Sequence, residues 1–87
     1  MADPREQIEM RLAQVRRLRD TAEAEAAQAA RDMTRLTSGL VPLEEVNADQ
    51  VRATADGYAD ALVRLRCYTD EAAALRRLLM VWRLPRR

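Results

Sequence analysis

The chain has 87 residues, 48% hydrophobic and 33% charged, with 15 arginines, no lysine and no histidine, and 14 acids that leave a formal charge of +1. That length is one small domain at most and excludes a multidomain enzyme. A single cysteine, Cys67, excludes an internal disulfide framework, and the lack of histidine removes the commonest metal ligand and general base.

Alanine, leucine and arginine together make up 42 of the 87 residues, with two glycines and three prolines among the rest. This is a long-helix composition. The first start signal is Asp3-Pro4-Arg5-Glu6: Asp3 suits the cap, Pro4 the first helical position, and Glu6 stands at the spacing of a capping box. Nothing then interrupts a helix until Ser38-Gly39, so the first helix is expected over about residues 4–38, with Gly39 taking the left-handed position just past its end. A turn is expected over 39–47. Within it Pro42 forces Val41 out of helical geometry and opens a short turn of its own. Asn47-Ala48-Asp49-Gln50 repeats the capping pattern, and a second helix is expected over about 48–84, stopped by Pro85. Gly57, preceded by Asp56, costs about 1 kcal/mol relative to alanine and is the one place inside it where a kink is acceptable.

Two helices of that length need a seam. In the first, Ile8, Val15, Ala22, Ala29 and Leu36 interleave with Leu12, Arg19, Ala26, Met33 and Leu40 in the alternating three-and-four spacing of a coiled coil. Arg19 is its one polar member. In the second, Val51, Ala55, Tyr58, Leu62 and Leu65 continue as Ala72, Leu75, Leu79 and Trp82, with an expected register slip near Tyr68 and Thr69. Folding the chain back at the turn pairs residues whose numbers sum to about 87. Ala22, Ala26 and Ala29 then oppose Leu65, Leu62 and Tyr58, small against large. The fold class expected is all-α: a long, antiparallel, coiled-coil-like two-helix hairpin, 1–87, associating into a helical bundle.

A lone hairpin buries one face of each helix. Leu18, Leu43, Val46, Tyr68, Leu78, Val81 and Trp82 fall wholly or partly off the expected seam and are the candidates for contact with a partner. The charges divide along the rod. The open end, residues 1–20 with 68–87, has ten arginines against six acids; the turn half, 21–67, has five against eight. The basic end is therefore +4, and Arg16, Arg17, Arg76, Arg77, Arg83, Arg86 and Arg87 are its candidates for an anionic partner. The plainer alternative is that these arginines answer Asp3, Glu6 and Glu9 across the helix pair.

Chemistry-bearing patterns are missing. Glu44-Glu45 and Asp70-Glu71 are adjacent pairs whose members diverge on a helix, and no glycine-rich phosphate loop or nucleophile with a base occurs. No cofactor, metal or small-molecule substrate is expected, and no catalytic residue is assigned. No apolar run reaches the roughly 18 residues of a membrane span, and Met1-Ala2-Asp3-Pro4 lacks the basic start of a secretory signal, so a cytoplasmic location is expected. The two-helix shape with its Gly/Pro turn resembles small bacterial secretion-system co-chaperones and adaptor subunits, a likeness of architecture without a shared motif. It implies a non-enzymatic interaction module: an adaptor, co-chaperone or assembly subunit that self-associates or docks on a larger protein. The alternative is a nucleic-acid-binding accessory protein using the arginine-rich end.

Overall fold

The computed structural model describes residues 3–39 and 42–83, apart from the side chains of Leu43 and Arg83. Helix α1 spans Pro4–Thr37, one 3-10 turn covers Leu43–Glu45, and helix α2 spans Ala48–Arg83. The two helices pack against each other as an all-α hairpin whose longest extent is 70 Å. Among the described residues no strand occurs.

Each boundary has a local cause. An oxygen of the Asp3 side chain accepts from the Arg5 amide at 3.2 Å, and the Asp3 carbonyl accepts the first helical bond from Gln7 at 3.1 Å. Pro4 loses nothing by lacking an amide hydrogen there. Glu6 does not reach back to complete the expected box; it serves as an acid in the first turn, where the helix dipole favours it. Gly39 follows the end of α1 with φ +80°, the left-handed conformation that a side chain would strain. The Pro42 carbonyl then accepts from the Glu45 amide at 2.8 Å and closes the short turn. The side chain of Asn47 caps α2 by accepting from the amides of Asp49 and Gln50, at 3.0 and 3.1 Å. α2 runs through Gly57 as one helix, Ala48–Arg83.

The α1 seam follows its heptads. Every member from Ile8 to Leu36 is buried or half-buried, and Leu40 lies outside the described residues. The α2 seam differs from its expectation. Ala61 is fully buried while its neighbour Leu62 is 40% exposed, and Tyr58 is exposed as well. Tyr68, expected partly off the seam, packs against the core beside Leu75. With those changes the buried and half-buried residues Thr54, Ala61, Tyr68 and Leu75, and likewise Leu65, Ala72 and Leu79, step by seven through the middle of the helix. No register slip is needed near Thr69.

The reason is steric. Where α1 offers Ala22 and Ala26, the backbones can approach closely only if α2 also presents a small residue, so Ala61 takes the seam and Leu62 turns to the flank. Toward the open end the spacing is filled by larger groups: Leu12, Val15, Ala72 and Leu79 form the core, with Ile8, Tyr68 and Leu75 against them. Burial of each of those two leucines contributes about 1.5–3 kcal/mol.

Candidate interaction surface

Antiparallel coiled-coil geometry gives the hairpin two broad flanks, and the sequence spends its charges differently on them. One flank carries the ion pairs between the helices. Arg11 Nε and Nη2 donate to the two carboxylate oxygens of Glu71 at 2.6 and 3.0 Å, and Arg64 Nη2 donates to Glu25 at 2.6 Å. The forked Arg11 contact holds the Glu71 carboxyl below the usual carboxylate range, chiefly through the hydrogen bond, and raises Arg11 in return. On the opposite flank Glu9, Leu12, Ala13 and Arg16 of α1 face Arg76, Leu79 and Met80 of α2 across an open groove of ≈ 420 Å³. Among the described residues Arg16 and Arg76 form no ion pair there.

The sequence candidates for partner contact separate into three groups. Leu78, Val81 and Trp82 stand exposed in the last turns of α2, with Val81 64% accessible. Leu18 and Val46 are half-buried, and Tyr68 belongs to the seam because its ring packs on the open-end core. The side chain of Leu43 lies outside the described residues. Exposed apolar side chains that periodicity did not single out are Met10, 70% accessible, with Val63 and Met80. Their signal was present: Met10 and Val63 both occupy the heptad position farthest from the seam.

The basic candidates fare similarly. Arg16, Arg17, Arg76 and Arg77 are exposed, and among the described residues none of these four forms the expected ion pair with Asp3, Glu6 or Glu9 across the helices. Glu9 instead bonds Arg5 one turn back at 3.1 Å. The side chain of Arg83, and Arg86 and Arg87, lie outside the described residues. Arg19 meets Asp20 at 3.5 Å with a third of its side chain exposed, a seam arginine that reaches outward to water.

Cys67 is a free, exposed thiol. Among the described residues no cluster of acids and cysteine has the make-up of a metal site, and no helix is long and apolar enough to cross a membrane. No protein-family model matches the chain, and neither a curated protein nor a solved structure matches it.

Proposed function

We propose that the chain is a non-enzymatic protein–protein interaction module of the cytoplasm, an adaptor, co-chaperone or assembly subunit that self-associates or docks on a larger protein. The observation that carries this reading is the apolar surface a single hairpin leaves in water. Leu78, Val81 and Trp82 crowd the last turns of α2, and Met10 and Met80 stand exposed near the same end. Large apolar side chains left in water on a small protein mark contact sites. Helix ends with large apolar groups also suit insertion into a groove of another helical protein.

The test is recovery of tagged full-length chain from its native host, beside a Leu78→Asp/Val81→Asp variant that retains its helicity. A named protein recovered by the wild type and lost with the variant supports the reading. A monomer by light scattering that returns no such protein overturns it.

A second reading is nucleic-acid binding, supported by Arg16, Arg17, Arg76 and Arg77 at the basic end, which form no ion pair among the described residues. A groove that sets Glu9 among these cations weighs against a phosphate track. Titration of duplex and single-stranded oligonucleotides at rising salt distinguishes the two: affinity that falls steeply with salt favours nucleic acid, and absence of binding at low salt removes it.

A further inference from the structure

The flank opposite the Arg11–Glu71 and Glu25–Arg64 pairs has a composition that the hairpin itself does not use. Its helix α1 side carries Glu6, Glu9, Asp20 and Glu23 with one cation, Arg16. Its α2 side carries Arg52, Arg66 and Arg76 and no acid. Among the described residues none of these charges forms an ion pair with the other helix; the only bonds made are short-range, Glu9 to Arg5 and Asp20 to Arg19. Between the charges the surface is small and apolar, with Ala27, Ala30 and Ala59 near the turn and Leu62 and Met80 farther along. The ion-paired flank is unlike it, since its cross-helix charges already satisfy one another.

An acidic strip beside a basic strip is complementary to itself turned over. From this the geometry points to a second copy of the chain as the occupant of the flank, an inference that rests on the interaction-module reading and names its partner. The symmetry follows from the charges. A two-fold axis parallel to the rod lays α1 of one copy over α2 of the other, acid strip on arginine strip, with both turns at the same end. An axis across the rod would lay α1 over α1 and face acids with acids.

The levels also agree. Within one hairpin a residue of α1 stands level with the α2 residue that brings the sum to about 87, as Ala29 and Asp32 do with Gly57 and Thr54 around one groove. A two-fold axis parallel to the rod preserves level. Asp20 and Glu23 then meet Arg66 of the second copy, Glu9 meets its Arg76, and Ala27 with Ala30 meets its Ala59. Alanine toward the turn lets the backbones close, and charge tiers toward the open end set partner and register. The product is an up-down-up-down four-helix bundle. The face runs along a rod 70 Å in its longest extent. Leu78 and Val81 remain outside it, free for a different protein.

The decisive experiment is sedimentation equilibrium on full-length chains of matched helicity. Wild type is expected to dimerise. Asp20→Arg/Glu23→Arg and Arg66→Glu are each expected to weaken self-association by about tenfold or more, since two like-charge tiers face each other in each homodimer. An equimolar mixture of the two variants is expected to recover wild-type affinity as a heterodimer, because both tiers are then complementary. Spin labels on Ser38→Cys in a Cys67→Ser background are expected within a bundle's width of one another, not at the length of the rod. A monomer at all concentrations, a dimer indifferent to both reversals, failure of the mixture to associate, or labels at opposite ends overturns the proposal. A monomer that still recovers a host protein through Leu78 and Val81 overturns the second copy alone and leaves the interaction-module reading standing.

Discussion

The open half and the turn half of the hairpin are built on the same heptad repeat but hold together by different means. At the open end Leu12, Val15, Tyr68, Leu75 and Leu79 interlock, and stability resides in buried volume. Toward the turn the buried residues are Ala22, Ala26 and Ala61, and little side chain is buried. The lesson is that one periodicity supports two packing regimes, the choice between them being made by the size of the residue across the seam. It follows that the halves should respond oppositely to changes in side-chain size.

Truncation at the large end breaks the comparison hardest. Leu12→Ala is expected to lower unfolding stability by about 2–5 kcal/mol in urea titrations, because the cavity it leaves is walled by two helices that cannot collapse fully. Enlargement is the matching insult at the small end. Ala61→Leu, at a position with no exposure, is expected to cost about 1–3 kcal/mol by forcing the helices apart. Leu62→Ala, one residue on, should cost less. Gly57→Ala sharpens the picture in the other direction. The glycine is helical and an added Cβ meets nothing within 4 Å, so a gain of about 0.5–1 kcal/mol is expected in thermal melts.

The smallest effect is at Glu71. Its folded carboxyl is held below the ordinary range by Arg11, so the pair's contribution is present above the ordinary carboxylate value and is lost as pH falls through the lowered one. Glu71→Gln is therefore expected to flatten the acid limb of a stability–pH profile, with little change in slope near neutrality. Because both groups are exposed, the difference should shrink in high salt.

Much of this architecture was legible in the residues. Asp3, Gly39, Pro42 and Asn47 name the boundaries because each solves a backbone problem that few other residues solve as well. The α1 seam was legible because Ile8, Val15, Met33 and Leu36 each have polar neighbours on both sides. The α2 seam between Thr54 and Tyr68 was not. Ala61-Leu62-Val63 offers three adjacent apolar residues, and hydrophobicity favours the largest. Only the alanines of the other helix, far away in sequence, decide for Ala61. The surface was less legible still. Periodicity found Leu78, Val81 and Trp82 but placed Tyr68 with them, and it passed over Met10, whose heptad position farthest from the seam leaves it in water.

The two ion pairs between the helices run in opposite senses: in one the cation is on α1 and in the other it is on α2. A heptad repeat alone is indifferent to sliding by seven residues, so a hairpin of this kind has near-degenerate misregistered forms. Sliding α2 one way sets Arg11 against Arg64; sliding it the other way sets Glu25 against Glu71. Either displacement exchanges an attraction for a repulsion, and the alternation of sign works as a pawl that admits a single alignment. Two exposed contacts of small individual worth thus contribute uniqueness where they add little strength.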